Sequence, residues 1–361
     1  MSTYFLIAIL LLGFLVTFQI AKASEYVGIL KGEKKTFEQN NRINGFLMII
    51  FLVLGLIGVY WCNELFKDRF LDNPASDHGV KIDNMLYITI ALTGVVFLIT
   101  QILLFWFAFK YQYSETRKAF YFPHNNRLEV IWTVVPAIAL TVLVGFGLYY
   151  WFNITGDAPK DSVVVEITGK QFGWIYRYPG KDGVFGKKYY KEIDEAANNQ
   201  LGLIWEDKAA QDDLVTQEMY TIVNKPIKLI INSRDVIHDV GLAHFRMKMD
   251  AVPGTPTTMW FTPLYTTAEM KAKEDNPDFE YEISCDQICG QGHYTMRGVI
   301  KVVTADEFFI WRASQKPTYV LNTQSAAPPP PAAPAGASGA DSAGQSTTSV
   351  SGGGKMIAAK K

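Results

Sequence analysis

The 361-residue sequence predicts a membrane-spanning α-helical part, then an all-β sandwich outside the membrane, then a disordered tail. Four long apolar runs lie within the first 155 residues, and short runs of alternating polarity follow from about Asp157. Hydrophobic residues make up 49% of the chain and charged residues only 19%, which is less charge than a soluble domain usually carries. The net charge of −1 argues against a duplex-binding protein, which needs a basic face to displace counterions.

The four apolar runs are Tyr4–Ile20, Phe46–Trp61, Met85–Phe109 and Val130–Trp151. A helix rises about 1.5 Å per residue, so about 20 residues cross the hydrocarbon core. The last two runs reach that length, and we expect them to form a hairpin over residues 85–152. The first two runs are shorter, but their flanks can extend them, so residues 1–62 are predicted to add two further helices.

The orientation of these helices follows from the charges between them. The loop after the first run contains five Lys or Arg residues and the loop after the third contains four. The loop after the second run contains three, among five acidic residues. Because basic loops stay cytoplasmic, we expect the N-terminus and everything after the fourth run to lie outside, in the periplasm of a bacterial inner membrane.

The first run also has features of a secretion signal. Ala21-Lys22-Ala23 resembles a cleavage site, but no Lys or Arg precedes the apolar residues, and a signal peptide has a positive n-region. A retained helix is therefore favoured. Cys62 ends the second run and is expected to be a small apolar helix residue.

The all-β part is predicted over residues 157–322. Runs with a period of two, separated by Gly and Pro, are typical of a sandwich. They are Val163–Ile167, Trp174–Tyr178, Ile227–Ile231, Thr258–Phe261, Phe279–Ile283 and Val299–Val303. A polar stretch at 180–217 is predicted to be a surface insertion, and 305–314 a short closing helix. Residues 323–361 are rich in Pro, Ala, Gly and Ser and are predicted to be disordered.

A metal-binding pattern lies near the end of the sandwich. Residues 284–296 carry Cys285, Cys289, His293 and Met296 in the spacing C-x3-C-x3-H-x2-M, and His238 lies farther upstream. Thiolates and a thioether favour copper(I), zinc or iron–sulfur, while imidazole suits copper and zinc. Ligands divided between a late loop and a distant strand end favour copper in a β-sandwich.

The number of thiolates bears on the kind of site. A blue copper site needs one Cys, two His and a weak Met, whereas this chain supplies a second Cys. Two thiolates can bridge two ions, each also bound by one His, so that both ions share one electron. Two alternatives remain open: a disulfide, because the periplasm is oxidising, and a Cys2His2 zinc site.

Four further segments, together with the metal-binding pattern, resemble those of a known family. They are Glu129–Ala137, Gly169–Trp174, Asp235–His238 and Asp250–Gly254. With the cysteine loop, they make the chain resemble subunit II of the haem–copper cytochrome c oxidases over roughly residues 85–314. The resemblance implies a two-helix hairpin and a cupredoxin-like sandwich that holds a dinuclear copper centre, CuA.

The resemblance also implies a role for each matching residue. Cys285 and Cys289 would bridge the two coppers, and His238 and His293 would bind one copper each. Met296 and the backbone carbonyl of Gln287 would be weak ligands. Glu129 would stand at the mouth of a proton path into subunit I, although an acidic residue is also favoured at any helix N-terminus.

Two positions depart from the family pattern. Gln287 replaces the usual Glu, whose carboxylate reaches a magnesium ion shared with subunit I. Because magnesium prefers charged oxygen ligands, that contact is doubtful here. Phe172 replaces the Trp through which electrons arrive, and Trp174 matches the neighbouring aromatic residue, so Phe172 and Trp174 are the candidates for electron uptake.

The remaining histidines and segments have no assigned ligand role. His244 is expected to be a surface residue or to support the site from outside the ligand shell. His78 and His124 are expected in loops, which leaves no histidine inside the membrane to bind haem. The two extra helices and the 180–217 insertion are expected to contact further subunits of a larger respiratory assembly.

The resemblance implies an electron-transfer subunit of an oxidase that reduces O2 and pumps protons. Its donor would be a separate cytochrome c or the haem domain of another complex, because the chain has no Cys-x-x-Cys-His string for attaching haem. A quinol oxidase subunit is an alternative, but those relatives lack the Cys pair. A copper-delivery protein would not need the membrane hairpin, and a nitrous oxide reductase would be soluble and carry another metal domain.

Overall fold

The computed structural model describes residues 3–67 and 73–325, and its first half contains four long helices. They are α1 (Thr3–Lys31), α2 (Glu33–Phe66), α3 (Asp77–Lys110) and α4 (Asn126–Ile154). All four are long and apolar enough to cross a membrane. The predicted membrane part is therefore confirmed.

Polar caps start α3 and α4 before their apolar runs. Ser76 accepts a hydrogen bond from the Gly79 amide at 2.8 Å, and Asn125 accepts one from the Leu128 amide at 3.2 Å. These caps satisfy amides that lack a partner inside the helix. The prediction that His78 lies in a loop is wrong, because α3 begins about two turns before the apolar residues and His78 is buried in its first turn. His124 lies in the connection before α4, as predicted.

The helix α2 packs along α3. The ring centroids of Phe46 and Phe109 are 5.1 Å apart. Near the start of α2, Lys34 forms an ion pair with Glu115 at 2.6 Å, and Asn41 donates to the Tyr113 carbonyl at 2.7 Å. The α1–α2 turn and the α3–α4 connection therefore lie at the same end of the helices, which the expected orientation requires.

The second half of the chain is a sandwich of two five-stranded sheets. The strands are β1 (Val163–Lys170), β2 (Gly173–Tyr178), β3 (Leu214–Thr216), β4 (Met219–Ile222), β5 (Ile227–Ser233), β6 (His238–Leu242), β7 (Met247–Ala251), β8 (Thr257–Phe261), β9 (Tyr281–Cys285) and β10 (Arg297–Val303). Their orders are β3-β2-β1-β5-β8 and β4-β10-β9-β6-β7. The predicted sandwich is confirmed, with four strands that the alternating runs did not indicate: β3, β4, β6 and β7.

The core lies between the two sheets. Val165 and Ile167 of β1 and Leu229 of β5 face Ile283 and Ile300 of the second sheet, and all five are fully buried. Their two-residue spacing is the strand period that places alternate side chains on one face. β1 and β5 pair in parallel, as do β4 and β10, so long connections cross the ends of the sandwich.

The insertion predicted at 180–217 is shorter in the structure, and it is ordered. Residues 214–216 belong to the first sheet as β3, so the insertion ends before them. It contains the short helix α5 (Lys208–Gln211) and packs Leu201, Leu203 and Ala210 against Ile175 of β2. Several of its carboxylates cap backbone amides, such as Asp207 with the Lys187 amide at 2.8 Å.

A buried ion network holds the insertion to the sheet. The Arg177 guanidinium, 1% exposed, contacts the carboxylates of Asp213 and Glu166, and the latter contact measures 3.1 Å. Lys188 of the insertion forms an ion pair with Glu166 at 2.5 Å, and Asn232 of β5 donates to the same carboxylate at 2.9 Å. Each buried charge therefore has a partner, which offsets its desolvation.

Three short helices complete the domain: α6 (Thr267–Lys273), α7 (Ala305–Ser314) and α8 (Thr318–Ser325). α7 matches the predicted closing helix. α8 places Tyr319 against Trp205 of the insertion, with ring centroids 5.5 Å apart. The predicted tail thus begins inside α8 at residue 323, and the rest of that prediction, 326–361, lies outside the described residues.

A junction ties the sandwich to α3 and α4. The Ala75 amide donates to the His244 carbonyl at 2.8 Å, and Arg246 forms an ion pair with Asp83 of α3 at 3.0 Å. On the α4 side, the Trp260 indole donates to the Gly156 carbonyl at 2.9 Å. The sandwich is therefore held at a defined position against the ends of both helices.

Candidate metal centre

Three parts of the second sheet bring the predicted ligands together. His238 is the first residue of β6, and Cys285 is the last residue of β9, which pairs with β6. Cys289 follows in the loop between β9 and β10, and His293 opens a 3-10 turn in that loop. Met296 comes directly before β10 and is 1% exposed. All five predicted side chains therefore converge at one end of the sandwich.

The two thiols form the centre of the group. Their sulfur atoms are 3.7 Å apart. The Cys285 sulfur is 3.8 Å from Nδ1 of His238, and the Cys289 sulfur is 3.7 Å from Nδ1 of His293. The thioether sulfur of Met296 lies 3.8 Å from the Cys289 sulfur, and the Gln287 carbonyl oxygen lies 3.2 Å from the Cys285 sulfur. The two cysteines thus have different neighbours, one imidazole each.

The donor set fits copper ions. Both cysteines are free thiols, and 3.7 Å far exceeds the disulfide length of about 2.05 Å. The separation is short enough for one ion to touch both sulfurs at a thiolate–metal distance of about 2.3 Å. Ligating atoms of His238, Cys285 and Cys289 all lie within 4.8 Å of one another. The two thiols and the thioether are soft donors of the kind that copper(I) selects, and imidazole also suits copper.

Burial affects the protonation of the thiols. Burial, together with the neighbouring Cys285 thiol, raises the pKa of Cys289 to about 11. The metal-free thiol therefore keeps its proton at neutral pH, and a bound metal ion must displace that proton.

The carboxylate of Asp235 orients the His238 ring. Its Oδ1 lies 2.8 Å from Nε2 of His238, which leaves Nδ1 facing the sulfurs. The backbone N–H of Gln171 donates to the other carboxylate oxygen at 2.8 Å. Although burial acts against its charge, hydrogen bonds from Gln171 and His238 hold the pKa of the Asp235 carboxyl below its ordinary value. Asp235 had no predicted role, and in the sequence only its position three residues before His238 could have suggested one.

Known proteins similar to this chain match both halves of the architecture. The family model for the periplasmic domain of cytochrome c oxidase subunit II matches residues 163–303, and the model for its transmembrane domain matches residues 73–149. The chain is 32% identical over 255 residues to the alternative cytochrome c oxidase subunit 2 of Bradyrhizobium diazoefficiens, covering 70% of this chain and 87% of that protein.

This chain belongs to the cytochrome c oxidase subunit II family.

Two further similar proteins are a curated relative and a solved structure. Cytochrome c oxidase subunit 2 of Cereibacter sphaeroides is 26% identical over 246 residues, covering 66% of this chain and 77% of that protein. The crystal structure of the periplasmic domain of subunit II of the Bradyrhizobium japonicum oxidase is 29% identical, covers 43% of this chain and 94% of that chain, and has a TM-score of 0.30.

Membership makes this subunit II a membrane component of a haem–copper terminal oxidase, with a periplasmic β domain. The matched transmembrane region corresponds to α3 and α4. The helices α1 and α2 precede it and are additional to the matched hairpin. The 180–213 insertion lies inside the matched periplasmic region.

The two aromatic candidates for electron uptake differ in exposure. Phe172 is 41% exposed, and its ring packs on the backbone of the cysteine loop: a Cβ built on Gly292 would lie 2.6 Å from the ring. Trp174 is buried and packs edge-on against His238, with centroids 6.0 Å apart. Of these two aromatic side chains, only Phe172 is exposed.

The other predicted residues lie apart from the thiols. Glu129 is exposed in the first turn of α4, where its carboxylate accepts from the backbone N–H of Asn125 at 3.3 Å. It therefore caps the helix, as an acidic residue at any helix N-terminus can. His244 packs edge-on against Phe279, with centroids 4.9 Å apart, and does not belong to the metal-binding group. Cys62 is exposed on α2, as expected of a helix residue facing lipid or a partner.

Replacing Asp235 by Asn is expected to lower copper affinity by about 10–100-fold, the usual cost of losing a partner that orients a metal ligand. Asn offers only a neutral oxygen to Nε2, so the hydrogen bond that holds Nδ1 toward the thiols is weaker. Copper per chain, measured against a competing chelator, checks this. Glu282→Gln, an exposed change on β9, is the control. Equal affinity in the Asp235 variant and the control would contradict the orienting role.

Proposed function

We propose that this subunit takes up single electrons on the periplasmic side through a dinuclear copper centre, CuA, and passes them to haem in subunit I. There, O2 reduction would be coupled to proton pumping. The observation that supports this most is the pair of free thiols 3.7 Å apart with one imidazole beside each sulfur. Bound there, two copper ions would supply a reversible one-electron acceptor.

Each ligand residue would have its own role at this site. Cys285 and Cys289 would bridge the ions, and His238 and His293 would bind one ion each. Met296 and the carbonyl of Gln287 would complete the set as weak ligands. The rigid strands β6 and β9 would hold these donors in nearly the same places in both oxidation states, which favours fast electron transfer.

The partners follow from the location of the domain. The donor would be a cytochrome c or the haem domain of another respiratory complex, and the acceptor would be subunit I, in a bacterial inner membrane. Glu129 would mark the mouth of a proton path into subunit I, a proposal that rests on the family resemblance alone. The exposed Gln287 offers no carboxylate, so a magnesium ion shared with subunit I is doubtful.

The competing functions fit the structure less well. A quinol oxidase subunit has no use for a buried thiol pair surrounded by imidazole and thioether. A copper-delivery protein needs an exchangeable site, whereas Cys285, Cys289 and Met296 are all buried. The junction with α3 and α4 also gives the site a fixed position relative to the membrane, which delivery does not require.

The test counts copper in the full chain purified with its oxidase and records the electron paramagnetic resonance spectrum. Two coppers in this subunit that share one unpaired electron equally would support the proposal. One copper with a single-ion spectrum would favour a blue-type or delivery site. Absence of copper from this subunit, even after purification under reducing conditions, would favour the quinol-oxidase or a structural role.

Replacing Phe172 by Ala is expected to slow electron uptake from the native donor by about tenfold, as truncating an aromatic anchor in an interface commonly does. The copper spectrum should stay unchanged because Phe172 packs on the loop backbone and is not one of the predicted ligands. Stopped-flow reduction of the copper centre measures the rate. Phe309→Ala, an exposed aromatic on α7, is the control. A rate equal to that of the control would remove Phe172 from the uptake surface.

A further inference from the structure

Gln171 lies in the turn between β1 and β2, on the first sheet, and reaches the cysteine loop of the second sheet. Its side-chain Nε2 donates a hydrogen bond to the backbone carbonyl of Cys289 at 2.6 Å. The two residues are 118 positions apart in the chain, so the folding of the domain brings them together. The bond is partly buried, where a hydrogen bond is electrostatically stronger than in water.

The same residue supports the other half of the metal centre through its backbone. The N–H of Gln171 donates to Oδ2 of Asp235 at 2.8 Å, and Oδ1 of that carboxylate lies 2.8 Å from Nε2 of His238. The side chain of Gln171 therefore holds the half that contains Cys289, while its backbone holds the residue that orients His238.

The cysteine loop is shaped to receive this side chain. Gly290 has a φ of +137°, which glycine adopts without steric cost. A Cβ built on Gly290 would lie 2.9 Å from Nε2 of Gln171 and 2.9 Å from the ring of Phe172. Any larger residue at position 290 would therefore push the turn and the loop apart.

The turn that carries Gln171 is anchored on its other side by the insertion. Lys170 forms an ion pair with Glu195 at 3.2 Å and donates to the side chain of Gln200 at 3.2 Å. Glu195 also pairs with Arg234, just after β5, at 2.8 Å. Gln171 thus extends from a turn that is held in place, and it can transmit that position to the cysteine loop.

We propose that Gln171 is a positioning residue for the copper centre, an inference that rests on the proposed function. It holds the Cys289 carbonyl, and thereby keeps the sulfur of Cys289 at one distance from the sulfur of Cys285 in both oxidation states. A fixed separation lets two bound ions share one electron equally and limits the rearrangement on reduction. Gln171 acts through Cys289 and is not itself one of the predicted ligands.

The test replaces Gln171 by Met in the intact oxidase, which removes the hydrogen-bond donor and preserves the length of the side chain. We expect amide hydrogen exchange in residues 289–293 to become about tenfold faster, the effect of one lost hydrogen bond. Copper affinity, measured against a competing chelator, should fall by about tenfold, the lower end for losing a partner that supports a metal ligand. The electron paramagnetic resonance spectrum should show the electron shared unequally between the ions.

Two further variants separate positioning from a general loss of structure. Gln171→Lys, whose ammonium group can still donate to the carbonyl, should restore slow exchange and equal sharing. Gln211→Met removes the same kind of bond, from Gln211 to the Trp205 carbonyl at 2.8 Å, and should change none of the three measurements.

The outcomes distinguish this inference from the function on which it rests. Native exchange and spectrum in Gln171→Met, or a Gln171→Lys variant as altered as Gln171→Met, would overturn the positioning role and leave the copper function standing. A wild-type subunit without two coppers would overturn the proposed function, and this inference with it.

Discussion

Cys289→Ser is expected to abolish the shared-electron copper spectrum and to lower copper affinity by more than about 100-fold, since losing even a partner outside the ligand shell costs 10–100-fold. The Cys289 sulfur lies 3.7 Å from Cys285, 3.7 Å from His293 and 3.8 Å from Met296, so it connects the two halves of the site. A serine hydroxyl is a hard oxygen donor and matches copper(I) poorly.

The matched control is Cys62→Ser, which removes an exposed thiol on α2 and should leave copper content and spectrum unchanged. Copper per chain and the electron paramagnetic resonance spectrum are measured on both variants in the assembled oxidase. Two coppers with the native spectrum in Cys289→Ser would show that the thiols do not form a bridging pair.

Arg177→Met is expected to destabilise the β domain by about 3–5 kcal/mol at neutral pH, because it leaves the buried Asp213 carboxylate without its cation. Arg177 is the cation between Asp213, which is fully buried, and Glu166, which is 6% exposed. Met preserves most of the side-chain volume, so the loss reports on charge rather than packing. Urea unfolding of the full chain in detergent, followed by tryptophan fluorescence, measures the change.

The cost of Arg177→Met should shrink as the pH falls. Burial raises the pKa of Asp213 even with Arg177 present, and without that cation the carboxyl should hold its proton more strongly still. The native state then binds more protons than the unfolded state, so the stability of the variant rises as pH decreases toward the unfolded pKa. Arg297→Met, which breaks an exposed pair with Glu282, should cost less than about 1 kcal/mol. A cost that is equal in the two variants would mean that the buried network contributes no more than a surface pair.

The membrane helices were predictable because a bilayer imposes a single requirement, a long apolar run. The starts of these helices were harder to predict. Ser76 and Asp77 begin α3, but they are polar residues that a hydropathy pattern excludes. His78 was misplaced for that reason. Its burial arises only because α3 packs its first turn against Trp260 of the sandwich, with ring centroids 4.4 Å apart.

The strands, too, were predictable only in part. β1 and β5 are rich in β-branched residues, and both were predicted as strands. β6 and β7 were not, since β6 contains Asp239 and Gly241 and is fully buried along its length. Likewise, the insertion has few consecutive apolar residues, and its order depends on contacts with Ile175 and Arg177 of β2.

By itself, the sequence determined the membrane runs, the sandwich and the identity of the candidate ligands, because soft donors at close spacing leave few alternatives. Only the tertiary structure decided their arrangement. It brings His238, 47 residues away, within 3.8 Å of the Cys285 sulfur, and it distinguishes exposed Phe172 from buried Trp174. These properties depend on how β6 pairs with β9 and how the turn between β1 and β2 lies against the cysteine loop, contacts between residues distant in the chain that no local pattern encodes.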